Sequence, residues 1–180
     1  MEYRFEIVTL VVSPAHAYFG RPKDGPAQAV ETHTPECVEV IADKGIRGDR
    51  FYGVRAHTEA AVTFLAVEAW QAAAGNVDPG VARRNIVVRG LELDPPRGQE
   101  FTVDTGDGHI RFRGGRPAHP CSWMDAVAAD GTRKALIGRG GLRTAPLTSG
   151  ILRVGPAVIT CDVELDARRA ADQVRRAQPN

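Results

Sequence analysis

The sequence predicts a mainly β, α+β domain: a barrel-like set of strands with helical decoration. Three observations carry this. Short apolar or alternating segments recur at Arg4–Val12, Cys37–Ala42, Ala61–Leu65, Asn85–Val88, Glu100–Val103 and His109–Phe112, as buried and half-buried strands do. Glycine-rich turns separate many of them. Ahead of the C-terminal tail, Ala66–Ala74 and Ser122–Ala129 are the main segments that read as helix, and many short strands with few helices favour a barrel.

The elements follow in order. Arg4–Val12 (RFEIVTLVV) is β-branched and apolar, a buried strand. Ser13–Pro35 is long, rich in Pro, Gly and Ala and without period; a loop of that length in a compact domain is usually functional or wraps an edge. Cys37–Ala42 alternates and ends in Lys44–Arg50, where Gly45 and Gly48 offer the positive φ of a tight turn. Ala66–Ala74 places Trp70 on its inner face and stops at Gly75. Asp78–Pro79 can start a further helical turn. Gly90–Arg97 is a turn-rich connection, and Thr105–Gly108 should join a hairpin. Gly150–Thr160 has strand patterning around Gly155–Pro156, and Glu164–Ala177 reads as a polar surface helix or tail. One domain over residues 1–163 with a tail over 164–180 is the expected organisation.

Composition narrows the function. Hydrophobic content of 43% and charged content of 25% are ordinary for a globular protein. No apolar run is long enough to span a bilayer and the N-terminus lacks a signal-peptide pattern, so no membrane association and a cytoplasmic location are expected. A net charge of +1 does not suggest nucleic acid as a partner. The three cysteines, Cys37, Cys121 and Cys161, are odd in number and never in C-x-x-C spacing, against a disulfide framework or a zinc knuckle. His16, His33, His57 and His109 have no metal-ligand spacing. Of the 23 basic residues only Lys23, Lys44 and Lys134 are lysines, and none is set as a Schiff-base lysine, so no pyridoxal phosphate site is evident.

The stretch richest in chemistry is Arg111–Asp125, RFRGGRPAHPCSWMD. It sets Cys121 behind Pro120, near Arg111, Arg113, Arg116 and His119, and ahead of a helix start. Positive charge and helix N–H groups both favour the thiolate, the form that acts as nucleophile or metal ligand. A free cysteine is more commonly a small buried apolar residue, so both readings stay open on these residues alone. Cys37 and Cys161, at the ends of apolar strands, are expected to be buried or inert. Three arginine-bearing turns accompany the thiol. Arg47-Gly48-Asp49-Arg50 can aim two guanidiniums while Asp49 pins the turn; Arg83-Arg84-Asn85 leads into a strand; Arg139-Gly140-Gly141-Leu142-Arg143 has glycines that allow close backbone approach. Each alone could be a solvated turn; together they suit an anionic, phosphate-bearing, sulfur-containing or metal-bearing ligand. A thiol hydrolase from His119 and Cys121 is a further possibility, weakened by the intervening proline and the lack of an orienting Asp or Asn.

Taken in order, these segments resemble the MOSC domain, the C-terminal domain of molybdenum-cofactor sulfurases. The likeness runs through Gly45–Arg50, Val62-Thr63-Phe64 with Glu68-Ala69, Arg84–Gly90, Pro120-Cys121, Gly138–Arg143 and Gly150–Gly155. Ser13-Pro14 through Tyr18–Arg21 is similar to the small standalone bacterial members, and residues 5–160 are covered. The resemblance implies a closed or nearly closed antiparallel β-barrel of the pyruvate-kinase-barrel type. It implies a molybdenum cofactor, with Cys121 as metal ligand and catalytic residue or as sulfur carrier. It further implies cofactor-binding roles for Arg47, Gly48, Asp49, Arg50, Arg83, Arg84, Asn85, Arg116, His119, Arg139, Gly140, Gly141 and Arg143. The implied activity is oxidoreduction of N-hydroxylated compounds with an external electron donor. The alternative is a non-catalytic carrier of cofactor or persulfide sulfur that works with a sulfurase partner. Three departures stand out: Phe51 where histidine often follows the turn, Pro156 after Gly155, and Leu142–Pro146 in place of a segment that is usually strand.

Overall fold

A computed structural model of the chain describes residues 1–26, 30–91, 93 and 98–164; the expected tail helix falls outside them, apart from Glu164. Strand β1 (Glu2–Leu10) is followed by the long loop, which contains a 3-10 turn at Pro22–Asp24 and is tied back where Val12 and His33 exchange backbone hydrogen bonds of 2.9 and 2.8 Å. Then come β2 (Cys37–Ile41), β3 (Gly45–Ile46), β4 (Val62–Ala66) and helix α1 (Val67–Ala74), and β5 (Ile86–Arg89). The hairpin is β6 (Glu100–Asp104) and β7 (His109–Pro117). Helices α2 (Trp123–Val127) and α3 (Thr132–Ala135) precede β8 (Leu142–Pro146), β9 (Gly150–Arg153) and β10 (Gly155–Cys161).

Seven strands close into a barrel in the order β1-β10-β6-β7-β8-β4-β5, and β3-β2-β9 form a small second sheet. The barrel is closed, as expected, and antiparallel except at β4 and β5, which run parallel with Phe64 opposite Ile86. The chain makes that crossover through α1, the short βαβ connection that parallel neighbours require. Leu142–Pro146 corrects the sequence reading: it is a strand, pairing with both β4 and β7. Proline is tolerated there because its missing N–H falls on the last residue of β8, where its carbonyl still accepts from Asp43 N at 2.9 Å.

Alternation sorts the side chains. On β7, Ile110 and Phe112 face inward while Arg111 and Arg113 face out. Phe64, Phe101 and Phe112 meet at 5.4–5.8 Å between ring centroids and fill the barrel. A second apolar cluster, with Leu65, Trp70, Trp123, Met124 and Leu136, packs the three helices against β4. α1 behaves as its pattern predicts: Trp70 is fully buried and Gly75, at φ 63°, returns its N–H to Gln71 O at 2.9 Å. Because Trp123 and Met124 belong to this cluster, the residues just after Cys121 are anchored in a core. Among the described residues no helix is long and apolar enough to cross a membrane.

Candidate functional site

After β7 the chain turns across Ala118, His119 and Pro120 to reach Cys121. Ala118 N donates to Gly141 O at 2.8 Å and Met124 N to Cys121 O at 3.0 Å, so both sides of the turn are fixed. Cys121 is exposed. Its cationic surroundings differ from those its sequence neighbours suggest. Arg111 and Arg113 reach Glu100 (3.8 and 3.9 Å), and Arg113 also reaches Glu59 (3.6 Å), on the outer face of the barrel. His119 and Arg116 are exposed and line no part of the cleft at Cys121. Helix α2 spans five residues, too short for a sizeable dipole at the thiol.

The guanidiniums that do converge on Cys121 come from other elements. One cleft is lined by Cys121 together with Arg50, Arg83, Arg84 and Arg143, and encloses about 530 Å³ with its open mouth included. Among the described residues no carboxylate lines it. Arg84 donates from Nε to Gly140 O (3.0 Å) and from Nη2 to Ala118 O (3.2 Å) and His119 O (3.4 Å). Burial, then the nearby charge of Arg143, pulls its pKa down to about 10. Arg50 reaches Asp49 Oδ2 (3.4 Å) and Arg83 O (3.3 Å) and lies 4.6 Å over the Phe51 ring. Arg83 donates to Ala15 O and lies 5.2 Å over Tyr18. Arg143 makes no ion pair among the described residues, and burial followed by the charges of Arg116 and Arg50 lowers its pKa. Burial is also the first cause of the lowered pKa of Arg50 and of Arg83. Of these four cations only Arg50 has a carboxylate partner among the described residues, Asp49, and an incoming anion would relieve the repulsion and desolvation of the rest.

Asp49 and Asn85 hold this arrangement from behind. Asp49 is buried; its Oδ1 accepts from Phe51 N (3.2 Å) and its Oδ2 from Ser13 N (3.2 Å), pinning the turn. Gly48, at φ 85°, supplies the backbone conformation that leads into it. Asn85 is 1% exposed and donates to Asp49 Oδ2 (3.1 Å) and Val11 O (3.2 Å), while its Oδ1 accepts from Thr63 N (3.0 Å) and Thr63 Oγ1 (2.9 Å). With its polar atoms engaged inward, Asn85 is a framework residue. Arg47 lies outside the cleft, exposed, paired with Glu39 and 5.5 Å from the Tyr52 ring. Arg139 is 2% exposed and does not line the cleft. Gly140 and Gly141 allow close approach of backbone to backbone: an added Cβ would stand 2.2 Å from Ala118 O at Gly140 and 2.0 Å from Phe64 O at Gly141.

The long loop supplies a wall the sequence did not reveal. His16 and Tyr18 line the cleft, as do Phe51, Thr63 and Met124. His16 meets the Phe51 ring edge-on at 5.3 Å, and partial burial, followed by Arg50 and Arg83, lowers its pKa. Tyr18 stacks on Trp123 at 5.2 Å and donates to Val81 O at 2.6 Å; burial raises its pKa. In the sequence this stretch was marked by its length without period and by the family likeness of Ser13-Pro14 and Tyr18–Arg21. Cys37 corrects its expectation: alternation turns Val38 and Val40 inward, leaving Cys37 exposed. Cys161 is buried, and burial raises its pKa.

No protein-family model matches the chain, and no curated protein matches it in sequence. Solved structures do share its fold. The YuaD protein from Bacillus subtilis superposes with a TM-score of 0.68 at 12% identity, covering 91% of this chain and 99% of that one. YiiM from Geobacillus stearothermophilus gives 0.56 at 17% identity over 87% and 75% of the respective chains. YiiM from Escherichia coli gives 0.55 at 14% identity over 99% and 80%. These likenesses establish the fold.

The cleft's donor set fits a molybdenum–pterin group. It offers a soft sulfur ligand and guanidiniums for a phosphate, with no carboxylate among the described lining residues. Among the described residues no group of His, Cys, Asp and Glu could by itself hold a metal ion, so a metal here would arrive with its own ligands.

Proposed function

We propose that the chain is a MOSC-type protein that binds a molybdenum–pterin cofactor in this cleft and reduces N-hydroxylated compounds. The observation that carries the reading is the convergence of Cys121 with Arg50, Arg83, Arg84 and Arg143 in a cleft without carboxylates. The ordered sequence likeness to the MOSC domain and the fold shared with YuaD and YiiM support it. Cys121 would ligate the metal through Sγ, Arg143 and Arg50 would hold the phosphate, and Arg83 holds the loop wall through Ala15 O. When bound, the cofactor supplies two-electron redox chemistry. Breaking the N–O bond of a hydroxylamine then consumes two electrons from an external donor and two protons, and releases amine and water. His16, held neutral near pH 7 by partial burial and its cationic neighbours, can pass a proton at the cleft wall.

A carrier role is the second reading, favoured by the exposure of Cys121, which lets a partner reach its sulfur. The two separate in one assay. Cofactor-loaded protein, given a chemical reductant and a hydroxylamine, forms amine catalytically under the first reading. Retention of cofactor without turnover supports the carrier, and failure to bind cofactor overturns the first reading and the cofactor-carrying form of the second.

A further inference from the structure

Four arginines line the cleft, but their donors are used differently, and that difference assigns roles. We propose that Arg84 is a positioning residue that ties the Cys121 turn to the Arg143 segment and so sets the spacing between thiol and anion-binding guanidinium. The inference rests on the cleft being the functional site. Arg84 Nη2 grips Ala118 O and His119 O, the carbonyls just before Pro120 and Cys121; its Nε grips Gly140 O, three residues before Arg143. One rigid fork therefore spans two chain segments, which a lysine ammonium, a single point of charge, cannot do. The same junction is closed by Ala118 N donating to Gly141 O (2.8 Å). It has no room to spare, since a Cβ on Gly140 would stand 2.2 Å from Ala118 O and 3.1 Å from Pro120 Cδ. Arg143 contrasts with it: half-buried, with no ion pair among the described residues, it keeps donors for a ligand.

The test uses the intact protein and needs no cofactor. Cys37 is exposed and on the other sheet, so it serves as an internal reference for alkylation by neutral iodoacetamide. In Arg84→Lys, which keeps the charge, the Cys121-to-Cys37 rate ratio should shift about fivefold or more as the turn that holds the thiol comes loose. Gly140→Ala removes no cation yet forces the junction apart, and should shift the ratio likewise. Arg143→Lys should leave the ratio within about twofold while weakening pyrophosphate binding by about tenfold or more, the loss expected for a bidentate contact. Unchanged ratios in both Arg84→Lys and Gly140→Ala overturn the positioning role, as does an Arg84→Lys that weakens pyrophosphate binding without altering the ratio. If Arg84→Lys does not fold, Gly140→Ala decides by the same ratio. Absence of pyrophosphate binding to the unmodified protein counts against the anion-binding cleft, independently of the alkylation result.

Discussion

Replacing Asn85 by alanine should unfold the support of the cleft without touching a ligand. The Asn85 side chain is 1% exposed and serves three elements: Thr63 at the start of β4, Val11 just after β1, and Asp49 in the turn that aims Arg50. Truncation leaves the Thr63 N–H without its acceptor and the Val11 carbonyl without this donor, both buried. It also deprives the Asp49 carboxylate of one hydrogen bond, although Ser13 N and Arg50 still reach it. Orphaned buried groups cost roughly 1–3 kcal/mol each, and the small cavity adds to this, so the loss should be about 3–5 kcal/mol. Equilibrium denaturation in urea, with the m-value checked for constancy, measures it directly. A loss below about 1 kcal/mol, especially with ligand binding abolished, would show that Asn85 acts as a ligand contact and that the network is not structural.

Gly141→Ala should cost about 3 kcal/mol or more or prevent folding, because φ is 100° and the new Cβ would press on Phe64 O at 2.0 Å; a midpoint unchanged in thermal melts would contradict this. His16 should titrate below its ordinary value of 6.5, so between the two values the unfolded chain binds more protons. Its contribution to stability is therefore present above 6.5 and lost as pH falls through that window, which proton NMR and pH-dependent melts of His16→Ala will reveal. A His16 midpoint at or above 6.5 would refute its burial beside Arg50 and Arg83. Near neutral pH, alkylation should run fastest at Cys121, slower at exposed Cys37, and slowest at buried Cys161, whose thiol burial pushes up; peptide mapping after a timed pulse ranks them, and an equal rate at Cys161 would contradict its burial.

Most of the fold lay in local patterns. The alternation of Ile110 and Phe112 with Arg111 and Arg113 fixes a half-buried strand, and Trp70 followed by Gly75 fixes a short capped helix. What local patterns cannot carry is which strands become neighbours. The parallel pairing of β4 with β5 depends on how α1 packs, and Leu142–Pro146 is held as a strand by partners on both sides despite its proline. The site divides in the same way. The three arginine turns and Cys121 were legible as motifs, but their roles were not. Arg47, Arg116 and His119 stay outside the cleft, Asn85 turns inward, and Gly140 and Gly141 serve close packing. His16, Tyr18 and Phe51 reach the cleft through contacts between segments far apart in the chain, which no short window records. The arginines near Cys121 in sequence are not those near it in space, because β7 directs Arg111 and Arg113 to the outer face.

The proposed ligation of a molybdenum cofactor by Cys121 is open to measurement of molybdenum content by elemental mass spectrometry, on wild type and Cys121→Ser freshly purified side by side from a host that makes the cofactor. The substitution removes a soft ligand at an exposed position with little change in volume, so circular dichroism and melting should match those of the wild type. That ligation predicts molybdenum near one equivalent in the wild type and about tenfold less or none in Cys121→Ser. Wild-type protein free of molybdenum, or a serine variant that retains as much, would contradict it.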